Sequence, residues 1–273
     1  MPELPEVEYV RRMLRPAMRG ARIARVVARR PNLRYPLGDD FVARLEGQTV
    51  TAITRRAKYL VVALSSGETL VMHLGMSGWF RVVAAAARHR AAGELTTHDH
   101  VVFELSSGAM VVFNDPRRFG FMRLVPPGGT EPGVAALGPE PLDRAFTADV
   151  LARALKGRRT SLKAALLDQR VVAGLGNIYV SEALHRARLS PRRRAATLVD
   201  RHGAPRPSAR ALVDGIKAAL RDAIANRHRA DGDDRFLVYD HEGRRCPRRG
   251  CPGVITRIVQ GARATYFCPV CQK

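Results

Sequence analysis

The chain of 273 residues has few acidic residues and very little lysine. Its 46 Lys and Arg stand against 25 Asp and Glu, a formal net charge of +21. Such an excess repels itself in the folded state and is relieved by a polyanion, for which nucleic acid is the leading candidate. A basic protein from an arginine-biased genome, without such a partner, is the alternative interpretation. Only Lys58, Lys156, Lys163, Lys217 and Lys273 are lysine. Lys58, flanked by arginines in "RRAKYL", is singled out because a buried lysine, unlike arginine, can lose its proton near neutral pH.

Long apolar runs are also missing. No stretch approaches the roughly 20 apolar residues that are needed to span a bilayer. The first apolar run is short and is interrupted by acids and arginines, which is not typical of a secretory signal. We therefore expect a cytoplasmic protein without a membrane partner.

Cysteines are absent from most of the chain, and all four lie near its end. Cys246 and Cys251 form one pair and Cys268 and Cys271 the other, with sixteen residues between the pairs. In a cytosolic chain this clustering predicts a metal site rather than disulfides. Four thiolates suit one structural Zn²⁺, and the stretch between the pairs predicts two strands and a turn, hence a β-hairpin zinc finger. Four thiols without a metal are the alternative.

The hydrophobic pattern predicts an α+β protein with two lobes. Residues 6–19 predict a helix that Pro16 ends or kinks. Residues 21–125 contain short β-branched runs and Ser-Ser-Gly turns, which are typical of a sandwich or barrel. A Pro- and Gly-rich stretch then precedes helices for which Thr147, either Thr160 or Ser161, and Ser208 are candidate N-caps. The predicted domains are a β-sandwich (1–124), a linker (125–146), a helical domain (147–228) and a zinc finger (236–273).

Three short motifs predict contacts with nucleic acid. In "AGLGNIYV" a glycine turn leads into a helix at Asn177, which favours phosphate binding, with a tight helix corner as the alternative. "NDPRRFG" places Phe119 beside Arg117, a feature of proteins that insert an apolar wedge into a base stack. "MHLGMSG" adds His73 and the unbranched Met76. Each of these residues alone is more often a core or turn residue, and together they suit an enzyme that everts a base.

Six motifs in one order resemble the bacterial formamidopyrimidine-DNA glycosylase family. They are "PELPEVE", "RRAKYL", "HLGMSG", "DPRRFG", "LLDQRVVAGLGNIYVSEAL" and "RATYFCPVCQK". The resemblance runs from Pro2 to Lys273, and "PELPEVE" separates the chain from the endonuclease VIII branch, which tends to begin "PEGPE". It implies an N-terminal β-sandwich with an N-terminal helix, a helix–two-turn–helix module and a C-terminal β-hairpin zinc finger.

The resemblance also implies a bifunctional enzyme of base excision repair. Such an enzyme excises oxidised purines such as 8-oxoguanine and formamidopyrimidines from damaged double-stranded DNA, and then cleaves the strand by β,δ-elimination. Met1 is removed and Pro2 becomes the nucleophile, with Glu3 as general acid. Lys58 is linked to β-elimination and Arg263 to δ-elimination. A bacterial enzyme that acts as a monomer at the nucleoid is expected.

Position by position, the resemblance gives eight residues that contact DNA. Met76, Arg117 and Phe119 match the trio that fills the gap left by an everted base. The full set is His73, Met76, His98, Arg117, Phe119, Arg159, Lys163 and Asn177. The metal ligands are Cys246, Cys251, Cys268 and Cys271.

The chain departs from the family pattern in two places. Cys246 and Cys251 are separated by four residues rather than the usual two, and we expect zinc to be kept. Residues 225–236 are shorter than the glycine- and serine-rich segment of the family, which closes over an everted 8-oxoguanine. This leaves open a shifted substrate, either abasic sites or oxidised pyrimidines. A non-catalytic DNA-binding protein is the other alternative, but binding alone needs none of Pro2, Glu3 and Lys58.

Overall fold

The computed structural model describes residues 2–87, 95–226 and 236–273. Contacts within the chain divide it into two compact units, residues 1–135 and 136–273. The division falls inside the stretch predicted as a linker. The predicted α+β class is confirmed, because the first unit is built mainly from strands and the second mainly from helices. No helix in the described ranges is long and apolar enough to cross a membrane.

Two four-stranded antiparallel sheets form the first unit. One has the strand order β1-β6-β7-β5 and the other the order β2-β3-β4-β8. Buried side chains from both sheets, among them Leu60, Phe80 and Phe103, belong to a single hydrophobic cluster, so the predicted sandwich is confirmed. The strands are β1 (Ile23–Ala28), β2 (Val50–Arg56), β3 (Tyr59–Leu64), β4 (Thr69–His73), β5 (Trp79–Val83), β6 (Asp99–Leu105), β7 (Met110–Asn114) and β8 (Phe121–Val125).

The N-terminal helix α1 (Leu4–Met18) packs against β2, β3 and β5. It buries Val7, Val10 and Leu14 in the core of the sandwich. Pro16 was predicted to end or kink this helix, yet the helix continues to Met18. Pro16 lies in the last turn, where the missing N–H removes only one helical hydrogen bond, and Met18 is fully buried. Burial of the last turn therefore outweighs the proline.

The stretch from Thr49 to Met76 contains three strands, whereas its two β-branched runs around one Ser-Ser-Gly turn predicted two. The turn at residues 65–68 joins β3 to β4 as predicted. An additional two-residue turn, Ala57 and Lys58, joins β2 to β3. Ala57 has a φ of +51°, in the left-handed region that favours glycine. The sequence signal for this turn was missed because neither residue is Gly, Asn or Asp.

Helices and a β-hairpin form the second unit. Thr147 accepts a hydrogen bond from the backbone of Val150, which confirms it as an N-cap, and Ser161 rather than Thr160 caps the next helix by accepting one from Ala164. The prediction of Ser208 as an N-cap was wrong, because the last helix already begins at Pro207. The hairpin consists of β9 (Thr256–Gln260) and β10 (Arg263–Phe267). The helices of this unit are α4 (Ala148–Leu155), α5 (Leu162–Leu167), α6 (Asn177–Arg186) and α7 (Pro207–Asn226), with a 3₁₀ turn at Ala195–Leu198. The first unit contains, besides α1, the short helices α2 (Phe41–Leu45) and α3 (Pro132–Ala135) and a 3₁₀ turn at Ala85–Ala87.

Glu182 in α6 fixes the segment that leads into the hairpin. Its buried carboxylate accepts backbone hydrogen bonds from Leu237, Val238 and Tyr239 at 2.9, 2.9 and 3.0 Å. Three N–H donors satisfy a buried carboxylate that would otherwise be costly to desolvate. Val238 in turn belongs to the small buried cluster of the hairpin. The helices and the finger of this unit are thus joined by hydrogen bonds as well as by packing.

Candidate active site and nucleic-acid interface

The N-terminus of the described chain is held by α1. Glu3 is the N-cap of this helix and is only 1% exposed. Its backbone N–H donates to Glu6 Oε2 at 2.9 Å, and the two residues form a reciprocal capping box. Pro2, directly before it, is half-buried. Pro2 and Glu3 therefore have a fixed position rather than that of a frayed terminus, while Met1 lies outside the described residues.

Lys58 is placed by the turn between β2 and β3. Arg56 pairs with Tyr59 across the turn, which leaves Lys58 half-buried at its tip. Arg55 donates its Nη1 hydrogen to the carbonyl of Ala57 at 2.9 Å and thereby braces the turn. Because α1 packs on both strands, the capped N-terminus and Lys58 are carried by elements in direct contact.

Glu8 links α1 to the Lys58 turn. Its carboxylate binds Arg11 and Arg12 at 2.8 Å each and lies 3.4 Å from Arg55 Nε. Burial raises the pKa of Glu8, but the hydrogen bonds from Arg11 and Arg12 and the nearby positive charges outweigh it and lower the pKa to about 2. Helix, strand and turn are thus coupled through one ionised carboxylate.

Glu8→Gln is expected to destabilise the first unit in a pH-dependent way. The pKa falls from 4.5 to about 2 on folding, so the charge contributes about 2–3 kcal/mol at neutral pH. This contribution is complete above the unfolded pKa and is lost as the pH falls from 4.5 towards 2. In urea unfolding followed by Trp79 fluorescence, the free energy of unfolding should be clearly lower for the variant than for wild type at pH 7. The difference should disappear near pH 2.

Asp39→Asn is the matched control, since it removes one carboxylate charge from an exposed position of the same unit. It should leave the unfolding midpoint nearly unchanged at both pH values. If the free energy of unfolding of Glu8→Gln differed from that of wild type by the same amount at pH 7 and pH 2, the role assigned to the Glu8 charge would be contradicted.

His73 ends β4 close to Lys58. Its Nδ1 accepts the backbone N–H of Gly75 at 3.0 Å, which leaves Nε2 to carry the ring proton. Burial, together with the positive charges of Lys58 and Arg34, lowers the pKa of His73 to about 4. The ring stacks on Phe121 with centroids 5.5 Å apart. His73 is thus a fixed, neutral N–H donor at physiological pH.

Two loops, residues 74–78 and 115–120, pack into one structure that we call the platform. A Cβ on Gly75 would lie 2.2 Å from the backbone carbon of Phe119, so only glycine permits this contact. Asp115, fully buried, accepts hydrogen bonds from Ser77 Oγ at 2.6 Å and from the N–H of Gly120 at 2.7 Å. The backbone N–H of Arg117 donates to the same Ser77 hydroxyl at 3.2 Å. Both loops are therefore rigidly held.

The platform presents apolar side chains to solvent. Met76 is 37% and Phe119 41% exposed, and the Arg117 guanidinium lies 4.9 Å from the Phe119 ring centroid. The structure thus brings together the three residues predicted to fill a vacated base stack. Exposed His98 lies beside the platform, because its carbonyl accepts the N–H of Asp115 at 3.0 Å.

In the second unit, Lys163 and Asn177 both support β10. Lys163 Nζ donates to the carbonyl of Ala264 at 3.0 Å and also to the Thr265 hydroxyl. Asn177, the first residue of α6, donates its Nδ2 hydrogen to the same Ala264 carbonyl at 2.9 Å. The carbonyl they share adjoins exposed Arg263, the first residue of the strand.

Lys163 is only 1% exposed, unlike the surface lysine that a predicted DNA contact would suggest. Burial, together with the positive charge of Arg263, lowers its pKa to about 8. Its visible role is to hold the strand that carries Arg263. Arg159, by contrast, is exposed in the connection between α4 and α5.

The four cysteine sulfurs converge within 4.8 Å of one another. Cys246 and Cys271 have their Sγ atoms 3.8 Å apart, and Cys251 and Cys268 have theirs 3.6 Å apart. A disulfide would require about 2.05 Å. A tetrahedron with metal–sulfur bonds of about 2.3 Å has edges of about 3.8 Å, so the donor set fits a single Zn²⁺-sized ion. The longer first pair therefore still converges on one point.

Two residues outside the cysteine pattern surround this cluster, and sequence analysis missed both roles. Buried His185 in α6 places Nε2 3.4 Å from Cys246 Sγ. Arg248, from the longer first pair, donates its Nη2 hydrogen to the His185 carbonyl at 2.6 Å. The end of α6 and the cysteine loop thus hold each other reciprocally. Such outer contacts orient metal ligands.

The chain matches two family models over most of its length. Residues 1–122 match the formamidopyrimidine-DNA glycosylase N-terminal domain, and residues 137–231 match the formamidopyrimidine-DNA glycosylase H2TH domain. It is 56% identical, over 292 residues and all of both chains, to formamidopyrimidine-DNA glycosylase of Rhodopseudomonas palustris strain HaA2. The corresponding protein of strain CGA009 is 57% identical over 293 residues, again over the full length of both.

Solved structures of similar proteins cover nearly the whole chain. The MutM (Fpg) protein of Thermus thermophilus is 38% identical with a TM-score of 0.82, over 99% of this chain and 98% of that one. The Lactococcus lactis formamidopyrimidine-DNA glycosylase, bound non-covalently to DNA that contains an abasic site, is 31% identical with a TM-score of 0.85 over all of both chains. A MutM in complex with DNA that contains carbocyclic 8-oxoguanine is also 31% identical, with a TM-score of 0.84 over both full chains.

Proposed function

The chain belongs to the formamidopyrimidine-DNA glycosylase family, and on that basis we propose that Pro2, Glu3, Lys58 and Arg263 carry its chemistry on oxidised purines in duplex DNA. It is a DNA glycosylase of base excision repair with the lyase activity typical of the family. The observation that supports the residue roles best is the capped, buried N-terminus on a helix that packs against the Lys58 strands. Its net charge of +21 suits a DNA substrate.

Base excision begins at the secondary amine of Pro2, which is free once Met1 has been removed. A terminal amine with a pKa near 8 is neutral in a useful fraction of molecules at physiological pH. Its lone pair forms a bond to C1′ while the bond from C1′ to the base breaks and the base leaves with a proton. Opening of the sugar ring puts a second proton on O4′, which the Glu3 carboxyl supplies as general acid. The product is a covalent iminium.

Strand cleavage follows from the electron demand of that iminium. It acidifies the C2′ hydrogens, so loss of one of them expels the 3′ phosphate and breaks the C3′–O bond. Lys58 supplies proton transfer in this β-elimination. Arg263 assists the δ-elimination, in which the C5′–O bond breaks and the second phosphate leaves. Lys163 and Asn177 hold the Ala264 carbonyl and so fix the position of Arg263.

DNA binding uses donors around both sets of catalytic residues. The neutral His73 ring donates its Nε2 hydrogen to phosphate, and exposed His98 and Arg159 add further contacts. Met76, Arg117 and Phe119 enter the space left by the everted base, and the Arg117 guanidinium lies over the Phe119 ring. The protein acts as a monomer at the nucleoid, where its substrate lies.

The cysteine cluster holds one structural Zn²⁺. Cys246, Cys251, Cys268 and Cys271 supply all four ligands, which leaves no open position for catalysis. When bound, the ion fixes the two cysteine loops relative to each other. The β9–β10 hairpin between them then presents Arg263.

Borohydride trapping tests this function. Duplexes with 8-oxoguanine, a formamidopyrimidine or an abasic site are incubated with the protein, and reduction of the iminium should leave a stable adduct on Pro2. No adduct with any duplex would overturn the enzymatic proposal. An adduct mapped to a lysine would overturn the assignment of Pro2 as the nucleophile and leave the enzymatic proposal intact.

A shifted substrate range is the second candidate function. Residues 225–236 are short for the family, and positions 227–235 lie outside the described residues. The alignments with curated relatives span 292 to 294 positions against 273 in this chain. Adducts with the abasic duplex, and none with either purine lesion, would establish this second candidate.

His185→Phe is expected to speed metal loss from the finger. The substitution removes the Nε2 contact to Cys246 Sγ and preserves an aromatic ring in the same buried space. Loss of an outer contact typically costs 10- to 100-fold in metal affinity. Zinc transfer to a chromophoric chelator should therefore be at least tenfold faster than in wild type. His241→Phe, at a second buried histidine of this unit, is the control. Equal release rates in wild type and His185→Phe would contradict the role given to His185.

A further inference from the structure

A third large apolar side chain is exposed directly after the platform loop that carries Met76, and the proposed function gives it no role. Trp79, the single tryptophan of the chain, is 49% exposed. It is the first residue of β5, an edge strand, and lies three residues beyond Met76. An exposed ring of this size that adjoins other exposed apolar groups indicates an interaction surface.

The Trp79 ring is held in place by a chain of hydrogen bonds that ends on a buried carboxylate. Its Nε1–H donates to Asn114 Oδ1 at 3.2 Å. Asn114 Nδ2 donates to Asp99 Oδ1 at 2.8 Å and to Thr96 Oγ1 at 3.2 Å. Asp99 is only 1% exposed. An aromatic group already fixed before binding loses little conformational entropy when a partner covers it.

The same hydrogen bonds connect Trp79 to groups that bind DNA in the proposed function. Thr96 and Asp99 flank His98, and Thr96 Oγ1 accepts the His98 N–H at 3.3 Å. Arg81 lies two positions along the edge strand, on the same face as Trp79, and binds Asp99 at 2.9 Å. A cationic, aromatic surface continuous with the platform suits a nucleic-acid backbone better than a protein surface.

We propose that Trp79 packs against the deoxyribose faces of the bound DNA, beside the phosphate contacted by His98. This inference rests on the proposed function. The indole offers a flat apolar face to the sugar, while its N–H stays bonded to Asn114. Trp79 would thus extend the DNA-binding surface of the platform along the DNA backbone, away from the lesion. It would add affinity without contacting the damaged base.

Because Trp79 is the only tryptophan, its fluorescence reports on this position alone. Binding of a fluorescein-labelled abasic duplex is first measured by anisotropy. At saturation with unlabelled duplex, the acrylamide quenching constant of Trp79 should fall at least twofold, with N-acetyltryptophanamide plus DNA as the control. An unchanged quenching constant at full occupancy would overturn the inference and leave the proposed function intact. Absence of any anisotropy change would overturn both.

Two substitutions test whether the contact contributes to affinity. Trp79→Ala should bind the duplex at least fivefold more weakly, whereas Trp79→Phe, which keeps an aromatic face, should lie within threefold of wild type. If Trp79→Ala bound DNA with an affinity within twofold of wild type, the inference that Trp79 contributes to DNA affinity would be overturned. Protection of Trp79 that depends on protein concentration without DNA would indicate a second copy of the chain instead.

Discussion

A chain with two additional residues before Pro2 is expected to form no borohydride adduct with any duplex. The nitrogen of Pro2 would then belong to a peptide bond, where its lone pair is delocalised into the carbonyl and cannot attack C1′. Adduct formation and strand cleavage should fall by at least a thousandfold, on the order of a lost covalent nucleophile. Comparison with the chain that begins at Pro2, on an abasic duplex, measures the effect.

DNA affinity of the extended chain should stay within about threefold of wild type, because the platform, His98 and the finger are unaltered. Pro2→Gly gives the intermediate case, since a primary amine still attacks but forms an imine that must be protonated. Its adduct yield should be reduced without being abolished. Glu3→Gln should lose base excision and keep trapping on the abasic duplex, because an abasic sugar already equilibrates with its ring-opened aldehyde and does not need the proton that Glu3 supplies to O4′. Normal trapping by the extended chain would show that another amine is the nucleophile.

The sequence predicted the platform motifs but not how they pack. "HLGMSG" and "DPRRFG" both place glycine and short polar residues beside Met76 and Phe119, which indicates loops with exposed apolar tips. The contact of Gly75 with the Phe119 backbone joins segments more than forty residues apart in the chain. It depends on the pairing of β4 with β8, and local patterns carry no information on that pairing.

The sequence singled out Lys58 by its rarity among arginines, and the family resemblance gave its role, but neither predicted the turn that carries it. Local rules look for Gly, Asn or Asp where φ is positive, and Ala57 is none of these. A left-handed alanine costs roughly 1–2 kcal/mol. Here the hydrogen bond from Arg55 to the Ala57 carbonyl and the pairing of the flanking strands offset that cost.

The residues around the cysteine cluster were also beyond what local sequence patterns can predict. Spacing predicted the four sulfurs, because close pairs must converge wherever a hairpin brings them together. His185 lies 61 residues before Cys246 on a largely buried helix, where a histidine is most simply explained as a core residue. Only the folded arrangement shows that its Nε2 faces a sulfur.

Cys268→Ser is expected to abolish metal binding and with it most of the DNA affinity. Cys268 is fully buried in the small cluster formed with Val238, Ile255 and Tyr266, which has too few apolar residues to fold unaided. The free energy of zinc binding is on the order of 10 kcal/mol in fingers of this kind, so its loss unfolds the hairpin. Without an ordered strand, Arg263 cannot meet phosphate, and we expect DNA affinity to fall by at least a hundredfold.

The first unit has its own core, so Trp79 fluorescence and its unfolding midpoint should change little in this variant. Val270→Ala, an exposed residue between the last two cysteines, is the matched control and should retain one zinc per chain. Wild type stripped with a chelator should lose DNA affinity like Cys268→Ser and regain it when zinc is restored, which the variant should not. Affinity within threefold of wild type in a metal-free Cys268→Ser chain would show that the finger contributes little to binding. The phosphate contacts would then have to come from His73, His98 and Arg159.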